Sequence, residues 1–526
     1  MVARPPGRLL EGLAEAAGKC VDIEDRISQL ADDILISIIS RLSLREATAT
    51  SILSSHWRYL YAYSSRLDFP PFKPESSPPF RECVEEIQEK RFPNYINTVN
   101  YILDSHKGSR VKEFMVHMHC LEGANIERWI EFALARKVEI FDLQMHYLVG
   151  ARRGHYSLGL SNLIRTNSGQ LLPDLKCLRI MSLSAVHVND AEVELLLSTS
   201  PLLESLSIEL SDGLTNVLIV GHSLLLKHLG ITYAANLQSI EICNMMNLVS
   251  LRCYGLPSTY VLRLSNVPKL IEFDTSDQRG NTLEQVLPRI PSCILDQLRL
   301  LKLSTQTIFI QYTSPTYMLP ELVNLKHLEL KVHMWRLTDN NDALFPLVEA
   351  CPSLEELDIK FLWAYYSIEF EDREIYNFRP MKKLSPNLKK LKLSGYLGSP
   401  SELEFALFIL KHVDALQELI VQPNSDMSKK IQRRAEARAR MHFRRRVRKS
   451  VKLIIEDWAI HVKSKAGWVV SFRILSIFSN PSLDDKLIKR TRRSQRVVIL
   501  GDCPKRLNYN HIIRGYQSSN NCSLKW

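Results

Sequence analysis

At 526 residues and 45% hydrophobic content, the chain is long enough for two or three domains or one extended array, and too apolar for wholesale disorder. Its formal net charge of +11 is segregated: residues 429–526 hold 25 Lys and Arg against 6 Asp and Glu, a net of +19, which leaves residues 1–428 at −8. The N-terminal stretch lacks the apolar core of a secretory signal, no later run approaches the roughly 18 apolar residues of a membrane span, and ten scattered cysteines with no C-x-x-C pair indicate neither a zinc site nor a disulfide framework.

Residues 1–21 read as a flexible N-terminus. From Asp25 to Phe69 the pattern predicts three short helices. Asp32 and Asp33 suit the positive end of a first helix whose apolar side carries Ile34, Leu35, Ile38, Ile39 and Leu42. Ser43 offers a cap for a second helix, Leu44 to Leu53, rich in small residues; Ser54 or Ser55 caps a third, on which Trp57, Leu60 and Tyr61 share a face. A segment of about 45 residues lies near the size limit for an independent core. More apolar surface is present than three short helices can hide, which points to a docking module.

At DRISQLADDILISIISRL, EA, TSILS and HWR the segment resembles the plant F-box, over residues 22–69. The resemblance implies that Leu30, Ile34, Leu35, Ile38, Leu42, Leu44, Ala47, Leu53 and Trp57 lie in or behind the surface that grips the Skp-type adaptor of SCF ubiquitin ligases. Ala31 and Ser43 stand where the family usually has prolines, a change expected to soften the first turn and weaken adaptor binding slightly.

After a helical linker at 70–110, the pattern L-x-x-L-x-[LI] recurs through 111–386, at Leu175, Leu203, Leu226, Leu237, Leu298, Leu325 and Leu354, and again at Leu388 and Leu416. From Leu298 the leading leucines are separated by 27, 29, 34 and 28 residues, in the range of leucine-rich repeats. Each repeat then holds a strand and a helix, as in DAEVELLLS from Asp190. Between Leu226 and Leu270 the spacing falls to 11, too short for a helix, so an extended segment or second strand takes its place. Upstream, Phe114 and Phe141 lie 27 apart around the amphipathic IERWIEFALARKV, which places this stretch in the same array. The combination resembles the plant F-box and leucine-rich-repeat family of FBD-associated type; residues 387–425, NLKKLKLSGYLGSPSELEFALFILKHVDALQELIV and its end, look like that family's terminal unit. The fold class is therefore α/β: a three-helix F-box, a leucine-rich-repeat horseshoe, then a basic tail at 426–526 that is partly helical or disordered.

A solenoid of this type exposes the variable strand positions on its concave face. The candidate target-binding residues are His327, Glu329, Glu356, Asp358, Lys390 and Lys392, with Ser205, Ser207, Leu300 and Lys302 at equivalent positions. For any single rung an ordinary solvated face competes with a binding role.

KKIQRRAEARARMHFRRRVRK, 429–449, reads as a helix with a slowly turning apolar stripe at Ile431, Ala435, Ala439, Phe443 and Val447. A solvated linker, a nuclear-import signal and contact with nucleic acid or anionic membrane compete for it. The last 75 residues show no repeat register.

No phosphate loop, nucleophile elbow, H-E-x-x-H or dinucleotide fingerprint occurs. His117 and His119 would share a strand face near Cys120, but no second ligand cluster accompanies them, so neither a metal nor a cofactor is expected. The sequence reads as a non-enzymatic, substrate-recognition subunit of an SCF-type ubiquitin ligase in the nucleus or cytoplasm. It would bridge a Skp-type adaptor and its cullin to an unknown target protein, with a repeat scaffold or nucleic-acid-associated protein acting through the basic tail as the alternative.

Overall fold

A computed structural model describes residues 25, 27–70, 92–119, 126–146, 156–157, 173–221, 224–277, 283–306, 320–334, 344–363, 386–424, 427–463, 469–478 and 496–500. The chain divides into two compact units, Met1–Arg279 with Pro288–Leu298 and Gly280–Leu287 with Arg299–Trp526.

The first unit opens with helix α1 (Asp32–Ile39), whose two acids occupy the first turn, where negative charge complements the helix dipole. Helix α2 (Leu44–Ala49) starts from a reciprocal cap: Ser43 Oγ accepts the Glu46 N–H, and Glu46 accepts the Ser43 N–H. Serine in place of the family's proline thus adds an N-cap, worth about 1 kcal/mol. The predicted second helix is α-helical only to Ala49. Thr50 turns its hydroxyl back onto the Ala47 carbonyl, and the chain tightens into 3-10 turns at Thr50–Ile52 and Trp57–Tyr63, which stand where a third α-helix is predicted.

Strand β1 (Arg66–Phe69) follows at once and pairs in parallel with β2 (Glu113–His119), Arg66 opposite Glu113. Between them α3 (Phe92–Ser105) lies close by, its Tyr95 hydroxyl donating to the Phe69 carbonyl, and two backbone bonds and one side-chain bond knit the junction: Lys107 N–H to Ala62 O, Lys112 N–H to Ser65 O, and Ser65 N–H to Ser40 Oγ. The sheet therefore begins inside the segment read as F-box, before the expected linker.

Helix α4 (Ile126–Ala135) and strand β3 (Ile140–His146) complete the next repeat, then β4 (Ile180–Ser184), helix α5 (Asp190–Thr199) and β5 (Ser205–Glu209). The short repeats follow as β6 (Asn216–Val220), β7 (His228–Thr232), β8 (Ser239–Cys243), β9 (Ser250–Leu256), β10 (Val261–Ser265) and β11 (Glu272–Asp277). Strands β1, β2, β3, β4, β5, β7, β9 and β11 are neighbours in that order, and β6, β8 and β10 form a second, three-stranded parallel sheet. An eleven-residue period leaves room for a strand but not a helix opposite the first sheet, as the spacing predicts. One column of buried side chains runs through the main sheet in register: Leu67, Phe114, Phe141, Met181, Leu206, Leu229, Leu251 and Phe273. Burying each contributes about 1.5–3 kcal/mol.

The second unit holds α6 (Leu283–Val286), β12 (Leu300–Gln306), β13 (His327–Met334), α7 (Leu344–Glu349), β14 (Glu356–Trp363), β15 (Lys390–Tyr396), α8 (Pro400–His412) and β16 (Glu418–Pro423). Its column is leucine throughout: Leu301, Leu328, Leu357, Leu391, Leu419 and Leu453, all buried.

The last of these lies in the stretch read as a tail, and there the structure departs from the sequence reading. Helix α9 (Lys429–Phe443) buries Ala435, Ala439 and Phe443, the middle of the predicted stripe, and Phe443 sits 5.5 Å from the Tyr396 ring. Strand β17 (Lys452–Lys463) then pairs in parallel with β16, Leu419 opposite Leu453 and Val421 opposite Ile455. Helix and strand make one more repeat, so 429–443 is no solvated linker. Repeat register continues past residue 425. Beyond it β18 (Val469–Phe478) and β19 (Arg496–Leu500) turn antiparallel.

Candidate adaptor-docking and target-binding surfaces

The predicted docking residues separate by depth. Leu35, Ala47 and Trp57 join Ile39 and Leu60 in one buried cluster, with Leu30 and Leu42 half-buried against it; Leu44 is buried as well. Ile34, Ile38 and Leu53 face solvent, 46%, 40% and 61% exposed. The first two lie one turn apart on α1 and so share a side of it. The apolar arc of α1 spans Ile34, Leu35, Ile38 and Ile39, wider than this small core can cover, and Leu35 and Ile39 take the inside. Sequence reasoning did not single out Ile27, Ile52 and Tyr59, which are exposed too, at 58%, 87% and 61%. Their signal in the sequence is an apolar side chain at a turn, which periodicity does not rank.

Two side chains tie the end of the module to its beginning. The Trp57 indole N–H donates to Ser28 Oγ at 2.7 Å. His56 contacts the Ser28 carbonyl through Nδ1 at 3.0 Å and Asp32 Oδ1 through Nε2 at 2.6 Å. Both partners are acceptors, so the ring meets them best as a doubly protonated imidazolium. The Asp32 carboxylate, then the Ser28 carbonyl, raise the His56 pKa above its ordinary value.

The six candidate target-binding residues fall on one face of the second unit's sheet. His327 stands opposite Glu356, and Glu356 opposite Lys390; one rung on, Glu329 stands opposite Asp358, and Asp358 opposite Lys392. Along β13, β14 and β15 these positions alternate with the buried leucines, which is the two-residue period of a strand. Lys390 Nζ lies 3.1 Å from Glu356, and Lys302 Nζ 2.8 Å from Glu329. His327 Nε2 lies 3.7 Å from Asp358 and 3.8 Å from Glu329, and Asp358 foremost raises its pKa. The face is charged and internally paired. On one rung of the first unit, Ser182, Ser207 and Gly230 form a small-residue stretch between Asp142 and Arg252, and Arg252 pairs with Asp274.

His117 lies against Asp142 at 2.9 Å, which raises its pKa; the side chains of His119 and Cys120 fall outside the described residues. Among the described residues no group of three or more His, Cys, Asp or Glu is placed to hold a metal ion, and no helix is long and apolar enough to cross a membrane.

Comparison with known proteins agrees with these two regions. The family model of the F-box domain matches residues 27–60, and that of the At1g61320/AtMIF1 leucine-rich-repeat domain matches residues 102–476. The second match runs through α9, β17 and most of β18. Among curated proteins the chain is similar to the FBD-associated F-box protein At5g22730 of Arabidopsis thaliana, 24% identical over 439 residues, 76% of this chain and 88% of the relative. It is equally similar to the F-box/FBD/LRR-repeat protein At5g53840 of the same plant, 24% identical over 413 residues with the same coverage. A shorter match, 30% identical over 201 residues, covers 35% of this chain and 42% of the putative F-box/LRR-repeat protein At3g58880.

Proposed function

The chain belongs to the plant F-box and leucine-rich-repeat family, FBD-associated type, and from that premise we propose that it is the substrate-recognition subunit of an SCF-type ubiquitin ligase. The observation that carries the reading is the division of α1 into a packed side, Leu35 and Ile39, and an exposed apolar side, Ile34 and Ile38. Exposed isoleucines one turn apart on a helix fixed from behind fit a protein partner, and the F-box match makes a Skp-type adaptor the fitting one.

The repeats select a target protein. His327, Glu329, Glu356, Asp358, Lys390 and Lys392 share a sheet face, which supports assigning them to that contact. A paired charged face of this kind favours a polar polypeptide whose own charges exchange with the existing pairs. The chain contributes position rather than side-chain chemistry: it raises the local concentration of a target near a ubiquitin-conjugating enzyme.

Co-purification tests the reading. Full-length chain coexpressed with a Skp-type adaptor is expected to form a stable complex through residues 27–63. Purification of the folded chain without the adaptor, when the adaptor is present in excess, sinks it.

A further inference from the structure

The outward side of α9 carries a charge pattern that the adaptor reading leaves unused. Its inner side is fixed by Gln432, Ala435, Ala439, His442 and Phe443. At about 100° per residue the opposite arc takes Lys430, Arg433 and Arg434, with Lys429 on its flank, and, at the end of the helix and in the turn that continues past it, Arg444 and Arg445. All six are exposed. Residues 429–449 hold eleven Lys and Arg and one acid, Glu436, which lies half-buried at the edge of the arc. Met441, 66% exposed, is the large apolar side chain among the cations.

The helix is held in place. The Tyr396 hydroxyl and His442 Nδ1 share a hydrogen bond at 2.8 Å, and Arg448, just beyond, pairs with Asp414 at 2.7 Å. Burial lowers the His442 pKa to about 4, so the ring stays neutral against the tyrosine. The cations are therefore displayed on a rigid rod of about 24 Å rather than on a free tail. A receptor that reads an extended basic peptide would have to strip α9 from Tyr396 first.

We infer that this face binds the sugar–phosphate backbone of a nucleic acid, without base readout. Three observations favour that ligand. The net charge of residues 1–428 is −8, so the positive field is local to this end of the array. Arginine dominates the stretch, and its planar fork suits phosphate oxygens. An acidic protein would be expected to seat on an aromatic anchor, and the arc carries none, its large apolar side chain being Met441. A duplex presents a charge every 1.7 Å or so, dense enough to offer phosphates to several of these cations at once.

The test uses the full chain and fluorescence anisotropy with a labelled single strand and a labelled duplex of about 24 bases, titrated at several salt concentrations. A poly-glutamate peptide and phosphatidylserine vesicles serve as the acidic-protein and membrane arms. Binding is expected with a log–log salt slope of roughly −3 to −4, as for about four phosphate contacts. The triple variant Lys430→Glu, Arg433→Glu, Arg445→Glu is expected to weaken it about tenfold or more, whereas charge reversal at Arg45, Lys112 and Lys411 leaves it within about threefold, a contrast that the equal change in net charge would not by itself produce. Should charge reversal lower the thermal midpoint, the Gln series at the same three positions replaces it. Wild-type affinity in the α9 variants, or tighter binding of poly-glutamate or vesicles than of nucleic acid, overturns the inference.

Discussion

The indole N–H of Trp57 and the Oγ of Ser28 meet at 2.7 Å across 29 positions of sequence, closing the docking module on itself. Trp57 is also 4% exposed within the cluster of Leu35, Ile39, Ala47 and Leu60. Trp57→Ala should remove both contributions and cost about 3–5 kcal/mol, enough to unfold the module locally. Trp57→Phe keeps most of the packing and loses the hydrogen bond, so it should cost nearer 1 kcal/mol. Hydrogen exchange of residues 27–63 in the full chain measures both; equal protection in the alanine variant and the wild type contradicts the packing described.

Ile34→Asp and Ile38→Asp report on docking rather than folding. Both side chains are exposed, so each change should alter stability by no more than about 0.5 kcal/mol. Adaptor affinity should fall at least tenfold, about 1.4 kcal/mol, because a carboxylate would be buried in an apolar contact. Calorimetric titration against a Skp-type adaptor, paired with a thermal melt, separates the two. Unchanged affinity removes α1 from the interface.

Protonation of His56 should stabilise the module. Its folded pKa lies above the ordinary 6.5, raised first by Asp32 and then by the Ser28 carbonyl. The stabilisation is therefore complete below about 6.5 and is lost as pH rises through the folded value. Exchange protection of residues 27–63, corrected for intrinsic rates, should drop across that window in the wild type and stay level in His56→Gln. Parallel pH profiles for the two proteins would remove His56 as the cause.

Glu402 is fully buried at the start of α8, where its carboxylate accepts the backbone N–H of Leu397, Gly398 and Ser399. Burial outweighs these bonds and raises its pKa to about 7. A folded state that holds the proton more tightly than the unfolded chain loses stability as pH climbs from about 4.5 to about 7 and levels off above. Glu402→Gln should flatten that slope. At neutral pH it should also cost about 1–3 kcal/mol, since an amide nitrogen cannot accept the N–H bonds. Urea unfolding of the full chain at several pH values decides it, and a slope retained in the variant assigns the effect elsewhere.

The repeat strands were legible because L-x-L alternation is a strand period and a recurring leucine is a column: Leu301 to Leu453 could be aligned by eye as far as Leu419. The chain hid the last step. Leu453 follows a helix whose inward stripe is mostly alanine, Ala435 and Ala439, so the hydropathy of 429–443 is dominated by its arginines and the buried side contributes little signal. In the docking module the difficulty was the reverse. Ile34, Leu35, Ile38 and Ile39 are all apolar, and only the packing of Trp57 and Leu60 decides which pair turns inward. Ser43 was legible as a cap, but the reciprocal partner Glu46 and the second capping box, Ser399 with Glu402, came only with the structure, and the back-bonded Thr50 that ends α2 early is a competition between hydrogen bonds that spacing does not weigh.

Because β1 leaves the docking module and enters the sheet directly, residues 28–63 are continuous in backbone with the first strand of the array. A rotation applied at α1 passes through the backbone bonds of Ala62 and Ser65 into β2. On the proposed function, the heading of anything seated on β2 and β3 is then set from the docking end of the chain.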